Sequence, residues 1–373
     1  MKKIFIITGE HSGDIHASNV VKYLKQFSSE LLIEGIGGEN MKNAGVKLFS
    51  DHSDMAAFGV SLKIICQHLT LEKRVSNYLL NVFKPDLVLL IDYGAFNLRV
   101  AKHLGKAGIK VVHFIPPQIW ASRKWRIKKI KKYVDKVLCI FPFEENIYKE
   151  EGIDVHFCGH PLVSQLPPRA DKEEFFKKHN LDLDKPLVSI FPGSRPIELA
   201  FLSKTLIKAA KELRRKHPNI QLCLSQAPNL KDNVYKKYIE DSGIKIIKGE
   251  NHALLSVSDS LILASGTVAL EAALYATPMV IGYKGPLILY LIYLLVRCIK
   301  NVSLPNIILN RDIVKELIQY NFTSDNICFE TEKLLYEREY RDEIIKNLLD
   351  VREKLSHKSA AEEAATCILE LIK

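Results

Sequence analysis

The chain has 373 residues, of which 47% are hydrophobic and 26% are charged, an ordinary globular balance with enough apolar material for two cores. Lys and Arg number 53 against 43 Asp and Glu, and the formal net charge of +10 favours anionic partners: nucleic acid, acidic lipid surfaces or phosphorylated small molecules. The seven Cys are dispersed without a CxxC pair, which argues against a disulfide framework and against a zinc site.

The chain starts with an apolar run at residues 4–8, which is too short for a signal peptide and which we interpret as a strand. The longest apolar stretch, residues 287–296, has about half of the roughly 20 residues that a membrane-spanning helix needs. We interpret it as a buried or half-buried helix, with a surface for acyl chains or membrane as the alternative. We therefore expect a cytoplasmic protein.

Short apolar runs alternate with amphipathic helical stretches, and the series starts again after a polar, proline-bearing segment at residues 166–172. Continuous apolar runs are typical of strands buried on both faces of a parallel sheet. We predict an α/β protein with two Rossmann-like domains, residues 1–165 and 166–345. A helical segment at residues 346–373 is expected to pack back on the body or on a partner subunit.

The first predicted strand leads into a glycine-bearing loop, Gly9 to Asp14, and then into a helix. Backbone N–H groups in such a loop can approach a ligand, and the start of a helix favours anions. Glu10 and Asp14 would repel a phosphate, so we expect the loop to meet hydroxyl groups or a nucleophile instead. A tight turn without a ligand is the alternative.

Asp92 follows the apolar run at residues 87–91, at the carboxyl end of a predicted strand, where ligands bind in open α/β sheets. We expect its apolar neighbours to raise the pKa of this carboxyl group, so that it can accept a proton from a sugar hydroxyl. A helix cap or a turn is the alternative. We interpret His113 as a core histidine and place His160 near the crossing between the domains.

A basic stretch follows, with eight Lys and Arg residues between Arg123 and Lys136 and with Trp120 and Trp125 before or among them. A solvated helix face is the simplest interpretation. RNA binding is an alternative, because aromatic residues alternate with charge. An anionic lipid surface or a substrate phosphate fits equally well.

Two loops of the second half have features that suit a phosphate. Arg195 follows a predicted strand and can bind a diphosphate through two hydrogen bonds, whereas a surface arginine on a turn is the alternative. A later strand leads directly into a helix whose start can hold a phosphate, and Glu271 would lie about one turn into that helix, where it can accept hydrogen bonds from ribose hydroxyls. The loop residues are Gly193, Ser194, Arg195, Ser265, Gly266 and Thr267.

These motifs together, in this order and over nearly the whole chain, resemble the lipid-A-disaccharide synthases, a family of GT-B glycosyltransferases. The matching pieces are residues 9–14, 91–92 with 96–98, 120–121 with the basic stretch, 141–144, 159–162, 192–195, 264–271 and 302–306 with 316–317. The GT-B fold implies two Rossmann-like domains whose parallel sheets face a central cleft. Each motif is weak alone, but the ordered set is specific.

The resemblance implies a reaction and its partners. UDP-2,3-diacylglucosamine would donate its sugar to 2,3-diacylglucosamine 1-phosphate, giving a β-1′,6-linked tetraacyl disaccharide 1-phosphate, a precursor of lipid A, and UDP. It further implies inversion at the anomeric carbon, no cofactor, no required metal and no nucleic acid. Peripheral attachment to an anionic inner-membrane surface and a homodimer are also implied.

The resemblance also assigns roles to individual residues. Asp92 would be the general base for the acceptor 6-hydroxyl, and Arg195 and Glu10 the other catalytic residues. The implied substrate-binding residues are Ser12, Gly13, Asp14, Asn97, His160, Gly193, Ser194, Ser265, Gly266, Thr267, Glu271, Asn306 and Glu316. Membrane contact is assigned to the apolar residues Val60, Leu62, Ile64 and Ile65.

Two departures from the family pattern bear on the site. Gly94-Ala95 stands where the family usually has Pro-Asp or Pro-Gly, which weakens any role for a second acid at position 95. Ser122 replaces a tryptophan, which puts acyl-chain or acceptor contacts there in doubt, although Trp125 lies close by. The competing hypotheses are another UDP-sugar enzyme of the same fold, namely a peptidoglycan-type N-acetylglucosaminyltransferase or an epimerase, and a non-enzymatic binder of RNA or membrane.

Overall fold

The computed structural model describes residues 1–51, 62–121, 124–227, 242–288, 298–356 and 359–373, together with residues 230, 235, 238, 239, 290 and 294. For residues 62–65 it describes the backbone alone. Val60 and Ser122 therefore lie outside the described residues, and so do the side chains of Leu62, Ile64 and Ile65.

The chain forms two compact units. One consists of Met1–Ser164 and Leu355–Lys373, and the other of Gln165–Lys354. The part of the chain that returns to the first unit begins at Leu355, within the predicted C-terminal segment. The polar segment at residues 166–172 is held by the second unit, because Arg169 Nη1 donates to Ser256 O over 3.0 Å and Tyr275 Oη donates to Pro167 O over 2.9 Å.

The first unit is built on a parallel sheet that has seven strands in the described residues. Its strands are β1 (Lys2–Ile7), β2 (Leu31–Gly37), β3 (Lys47–Asp51), β4 (Leu87–Ile91), β5 (Lys110–Phe114), β6 (Lys136–Cys139) and β7 (Val155–Phe157). Their order is β3-β2-β1-β4-β5-β6-β7, so the direction of winding reverses between β1 and β4. Ligands bind at such a switch point, at the carboxyl ends of the strands.

Helices cover this sheet and bury it. They are α1 (His11–Phe27), α2 (Glu39–Asn43), α3 (Leu62–Tyr78), continued by a π-helical turn at Leu79–Phe83, then α4 (Gly94–Lys106), α5 (Ile127–Tyr133), α6 (Pro142–Glu150) and α7 (Pro161–Gln165). All five residues of β4 are buried, which accounts for the unbroken apolar run in the sequence. Each such Leu, Val or Ile side chain contributes about 1.5–3 kcal/mol on burial.

The C-terminal helix α15 (Ala360–Ile372) packs on α1. Lys110 Nζ donates to Leu371 O over 2.5 Å, and His156 Nε2 lies 3.2 Å from Glu363 Oε2, which ties the helix to β5 and β7. Its buried residues recur at the three- and four-residue spacing of an amphipathic helix; they include Ala364, Ala365, Ile368 and Ile372.

The second unit repeats this plan with a parallel sheet of six strands among the residues described. The strands are β8 (Leu187–Phe191), β9 (Gln221–Gln226), β10 (Lys245–Lys248), β11 (Ser260–Ala264), β12 (Met279–Tyr283) and β13 (Lys315–Ile318). Their order is β10-β9-β8-β11-β12-β13, which puts the switch point between β8 and β11. The prediction of two α/β halves with parallel sheets is confirmed.

The helices of the second unit include α8 (Lys172–Lys178), α9 (Pro196–Lys216), α10 (Asn251–Val257), α11 (Thr267–Leu274), α12 (Leu304–Leu309), α13 (Ser324–Tyr336) and α14 (Arg338–Leu355). In the part of the chain that the structure describes, no helix is long and apolar enough to cross a membrane. Leu287 and Ile288, at the start of the longest apolar stretch, are 51% and 68% exposed. These two residues are more exposed than a buried or half-buried helix would have them; most of the remaining residues of the stretch lie outside the described ranges.

Candidate active site

Asp92 directly follows β4 at the switch point of the first sheet, in an unusual backbone conformation. The φ angles of Asp92 and Tyr93 are 49° and 45°, so two consecutive side-chain-bearing residues adopt the left-handed region. Each such residue costs on the order of 1–3 kcal/mol, and strain of this kind persists where the surroundings fix it. The turn directs the chain from the strand into α4.

Two buried side chains hold this turn from behind. Asn97 Nδ2 donates to Asp92 O over 2.7 Å and to Ile91 O over 3.2 Å. His113 Nε2 lies 3.3 Å from the same Asp92 carbonyl, and because a carbonyl only accepts, Nε2 is the protonated nitrogen. Complete burial lowers the pKa of His113 to about 4, so the ring is neutral near physiological pH. His113 is thus a core histidine, as predicted, and it also helps to position Asp92.

The carboxyl group of Asp92 is half-buried, and this burial raises its pKa, against a smaller opposing effect of the hydrogen bond from the Tyr93 backbone. A carboxylate with a raised pKa binds a proton more readily than an ordinary aspartate does. The environment of Asp92 therefore suits a general base.

Asp92 opens onto a cavity of about 370 Å³ whose described lining lies wholly in the first unit. Its wall consists of Glu10, His68, Asp92, Tyr93, Gly94, Ala95, Phe96 and Arg99. Tyr93 Oη lies 3.1 Å from His68 Nε2. The Tyr93 ring also packs on Gly9, where an added Cβ would lie 2.3 Å from the ring, so the glycine is required by this close approach. The loops after β1 and β4 thus meet at the cavity.

The structure separates the predicted residues of the first loop. Glu10 lines the cavity and Ser12 is exposed, but Gly13 and Asp14 are buried. Asp14 Oδ1 accepts hydrogen bonds from Gly38 N and Met41 N over 2.7 and 3.1 Å, and Oδ2 accepts two from Asn40, over 3.0 and 2.8 Å. Both oxygens of Asp14 are therefore engaged in joining α1 to the start of α2, a structural role that the sequence did not reveal.

His160 belongs to an aromatic cluster beside β6. Its ring centroid lies 5.1 Å from that of Phe141, and Leu162 N donates to its Nδ1 over 3.2 Å. Burial, with a smaller effect of His16, lowers its pKa to about 3, so the ring is neutral. Trp120 belongs to the same cluster and donates its indole N–H to the buried Glu144 over 2.8 Å. His160 thus has a packing role within the first unit.

At the switch point of the second sheet, the backbone N–H groups of the loop after β8 are hydrogen-bonded to a side chain of the protein itself. Gly193 has a φ of 102°, in the region that favours glycine. Glu198 accepts hydrogen bonds from Ser194 N and Arg195 N over 3.0 and 3.2 Å. The Arg195 guanidinium lies 3.7 Å from this carboxylate and is 77% exposed. The Arg195 side chain is therefore accessible to a ligand, whereas the N–H groups of Ser194 and Arg195 are already engaged by Glu198.

The loop after β11 is open at the start of α11. Gly266 and Thr267 are exposed, and among the described residues no side chain caps this helix. Ser265 N continues the sheet by donating to Gly282 O over 3.0 Å. Burial raises the pKa of Glu271, whose Oε2 lies 3.9 Å from His252 Nδ1. The helix start offers backbone N–H groups, with a carboxylate one turn further on.

Asn306 and Glu316 form a network that fixes the residues before α12. Glu316 Oε1 accepts from Ser303 N, Ser303 Oγ and Asn306 Nδ2 over 2.9, 2.6 and 2.8 Å, and Oε2 accepts from Val302 N over 2.9 Å. Asn306 Oδ1 accepts from the backbone of Ile313 and Val314, each over 2.9 Å. These side chains are engaged in shaping the loop, which differs from the direct substrate contact predicted for them.

Sequence reasoning missed three side chains of the first cavity: Tyr93, Arg99 and His68. Arg99 had a usable signal, because it lies four residues after Ala95 on a helix that starts beside Asp92, and such residues share a helix face. His68 had none, since it comes from α3 and reaches the cavity through tertiary packing. Within the described ranges no group of three His, Cys, Asp or Glu side chains forms a metal-binding cluster.

A model of the family described as Lipid-A-disaccharide synthetase matches residues 4–371. The chain belongs to this family. A lipid-A-disaccharide synthase of Coxiella burnetii is 38% identical over 100% of this chain and 99% of its own length. That of Geobacter metallireducens is 35% identical over 100% and 97%. The family that the ordered motifs predicted is confirmed, and so is the prediction that the chain is a glycosyltransferase.

Solved structures with similar folds extend over the whole chain at low sequence identity. The UDP-GlcNAc 2-epimerase of Neisseria meningitidis, bound to UDP-GlcNAc, has a TM-score of 0.62 and 14% identity, covering 99% of each chain. The S. aureus MnaA–UDP co-structure reaches 0.67 at 15% identity, covering 100% of this chain and 98% of its own. The glycotransferase of kitacinnamycin has a TM-score of 0.65, 12% identity and coverage of 100% and 99%. These similarities concern the fold alone.

Proposed function

We propose that this chain transfers the sugar of UDP-2,3-diacylglucosamine to the 6-hydroxyl of 2,3-diacylglucosamine 1-phosphate, with Asp92 as the general base. The observation that carries the proposal is the environment of Asp92. It is half-buried at a switch point, its pKa is raised, and it faces a cavity of about 370 Å³. We infer the identity of the two substrates from the family to which the chain belongs.

The chemistry is a single displacement. The Asp92 carboxylate removes the proton from the acceptor 6-hydroxyl while that oxygen forms a bond to the anomeric carbon of the donor. The bond from the anomeric carbon to the diphosphate breaks, and UDP departs with the electron pair. One displacement inverts the anomeric centre, so an α-linked donor gives a β-linked product, and Asp92 ends the step protonated.

On the donor side, the second unit offers the groups that departing UDP needs. Negative charge builds on the diphosphate as its bond breaks, and the exposed Arg195 guanidinium can offset it. The open start of α11, at Ser265 to Thr267, suits a phosphate, and Glu271 suits the ribose hydroxyls. Because Glu198 occupies the N–H groups of Ser194 and Arg195, we assign the diphosphate contact of this loop to the Arg195 side chain.

In this proposal, several residues that were predicted to contact substrate act indirectly instead. Asn97, together with the core histidine His113, positions the Asp92 turn, and Asp14 holds the first loop through α2. Asn306 and Glu316 shape the segment before α12. We keep Glu10 as an acceptor-side group, because it lines the cavity together with Asp92.

We further propose that a basic surface of the first unit meets the anionic inner membrane. Trp125 is 58% exposed, and Arg126 and Lys129 lie over its ring at 5.8 and 5.4 Å from the centroid. The lysines of α5 that are exposed beside it are Lys128, Lys129, Lys131 and Lys132. Such a surface can bind acidic headgroups while the indole enters the interface. A homodimer remains part of the proposal on the family resemblance alone.

Vesicle sedimentation tests this surface. Replacing Lys128, Lys129, Lys131 and Lys132 by Gln should weaken binding to phosphatidylglycerol-containing vesicles by about tenfold or more at low salt, since each basic residue near such a surface contributes about 1 kcal/mol. The matched control replaces Lys177, Lys204, Lys208 and Lys211 of the second unit. Equal losses in both variants, or none in either, would contradict the assignment.

The function itself is tested with purified protein and two radiolabelled donors, UDP-2,3-diacylglucosamine and UDP-N-acetylglucosamine, each with the lipid acceptor. Transfer from the acylated donor alone is expected. Transfer or epimerisation of UDP-N-acetylglucosamine instead would favour another UDP-sugar enzyme of this fold. If Asp92→Asn kept full turnover, Asp92 would not be the base.

A further inference from the structure

The cavity beside Asp92 carries its charges at separate places. Glu10 and Asp92 come from the loops after β1 and β4, whereas Arg99 projects from α4. Of the described residues in its wall, Arg99 is the one with a permanent positive charge. Both kinds of charge act on Tyr93. Burial and the negative charge of Glu10 raise its pKa, whereas the positive charge of Arg99 lowers it. The cavity thus carries negative charge beside Asp92, where α4 begins, and positive charge further along α4.

Glu72 holds Arg99 in place from the side away from bulk solvent. Arg99 Nε lies 2.6 Å from Glu72 Oε2, and His103 Nε2 lies 3.2 Å from Glu72 Oε1, while the Glu72 side chain is only 9% exposed. Arg99 Nε is itself buried, yet the Arg99 side chain is 39% exposed. The accessible part of the side chain is therefore not the nitrogen that faces Glu72. A guanidinium whose Nε faces one carboxylate in an ion pair keeps its other N–H donors for a second oxyanion.

The spacing along α4 matches one hexose ring. Arg99 lies five residues after Gly94, which follows Asp92 and Tyr93 at the start of the helix. At 1.5 Å per residue this is about 7.5 Å along the helix axis. In a hexose 1-phosphate the phosphate is on C1 and the 6-hydroxyl is carried by C5 through C6, so the two groups leave the ring from the two carbons that flank the ring oxygen and diverge from there. A sugar whose 6-hydroxyl meets Asp92 can therefore extend its phosphate along α4.

We infer that Arg99 binds the 1-phosphate of the acceptor and so sets both its orientation and the preference for a phosphorylated acceptor. This assignment rests on the proposed function and deepens it. An Arg–phosphate contact is directional, because two parallel N–H groups meet two oxygens. Binding the phosphate on C1 leaves the 6-hydroxyl, on the other side of the ring oxygen, for the base. Glu72 is then a positioning residue that acts through Arg99.

The experiment compares two ligands in four proteins. The wild type, Arg99→Gln, Arg99→Lys and Lys102→Gln are assayed with 2,3-diacylglucosamine 1-phosphate as acceptor in mixed detergent micelles of fixed composition. Dephosphorylated 2,3-diacylglucosamine is the competing ligand, and its inhibition constant is measured in each protein. Lys102 is the matched control, since it is an exposed lysine of the same helix outside the described wall of the cavity. Thermal unfolding and UDP binding verify that each variant is folded.

Arg99→Gln should raise the acceptor KM by about 10- to 100-fold, the usual effect of losing a charge-assisted hydrogen bond. The inhibition constant of the dephosphorylated competitor should stay within about twofold of the wild-type value, because ligands without the phosphate lose no contact. Arg99→Lys should recover part of the loss, since it restores the charge but not the planar fork. Lys102→Gln should match the wild type.

Two results would overturn the assignment: an unchanged KM in Arg99→Gln, or equal weakening of the phosphorylated and dephosphorylated ligands. An Arg99→Gln variant that does not fold is replaced by Glu72→Gln, for which the same split between KM and inhibition constant is expected at smaller size. A wild type that transfers no sugar to the phosphorylated acceptor would instead end the proposed function.

Discussion

The two switch points have the same topology but opposite surroundings. In the first unit, the residue after the central strand is a half-buried aspartate on a strained turn, held from behind by Asn97 and His113. In the second unit, the corresponding loops present an exposed Arg195 and an uncapped helix start. A base gains from partial burial because burial raises its pKa, whereas a diphosphate site needs donors that stay accessible. One fold thus supports two chemistries through the surroundings of its loops.

The largest expected effect is on the base. Asp92→Asn keeps the shape of the side chain but cannot accept the proton, so kcat should fall by about 10²- to 10⁴-fold, the usual contribution of a general base. Steady-state transfer of label from the donor measures it. UDP binding, assigned to the second unit, should be unchanged. A fall in UDP affinity with little change in kcat would reverse the roles that we assign to the two units.

Arg195→Ala should lower kcat by about 10²- to 10³-fold, as for the loss of a group that stabilises charge in the transition state. The matched control is Arg215→Ala in the last turn of α9, the helix that Arg195 directly precedes, since the Arg215 side chain is 75% exposed and its partner Glu212 is 3.9 Å away. Wild-type turnover is expected for that control. Equal loss in both variants would point to a general effect of positive charge rather than to a diphosphate contact.

Asp14 tests whether the first loop binds substrate or holds the fold. Asp14→Asn replaces one acceptor oxygen by a donor where backbone N–H groups converge, so the free energy of unfolding should fall by about 2–4 kcal/mol. Urea unfolding followed by circular dichroism measures it. The control is Glu39→Gln, which removes an exposed ion pair with Lys42 (3.7 Å apart) and should change the free energy of unfolding little. Lost activity at full stability would favour the substrate contact first predicted for Asp14.

The smallest effect concerns pH. Burial raises the pKa of Asp92 in the folded protein, so ionisation of this group opposes folding. The protein is therefore most stable when Asp92 is protonated, and the free energy of unfolding falls as the pH rises through the raised pKa. Asp92→Asn should therefore have a higher Tm than the wild type near neutral pH. The difference should shrink as the pH falls below the ordinary aspartate pKa of about 3.9. For the wild type, kcat should decline on the acid side at a pH above that ordinary value. An Asp92→Asn variant that is no more stable at neutral pH would show that the burial of Asp92 has no cost.

The sequence predicted the parts of each site that depend on strand ends. Asp92 and Arg195 could be assigned because each follows a strand recognisable by its continuous apolar residues. The capping contact of Glu198 was also readable, since it lies three residues after Arg195 at a helix start, but it was missed. The partners of Asp14 were not readable, because Gly38 and Met41 are distant in the chain and come close only when β2 pairs with β1.

The sequence by itself determined the family, the two parallel sheets and the position of the carboxylate, because buried strands and ordered motifs leave a signal in the local pattern of residues. Only the tertiary structure decided which polar side chains remain available to a ligand. Asp14, Asn306 and Glu316 are engaged by backbone groups, while Arg99 and His68 line the cavity through the meeting of α3 and α4. Hydrogen bonding and burial depend on neighbours that are far away in the chain, and local sequence patterns carry no record of them.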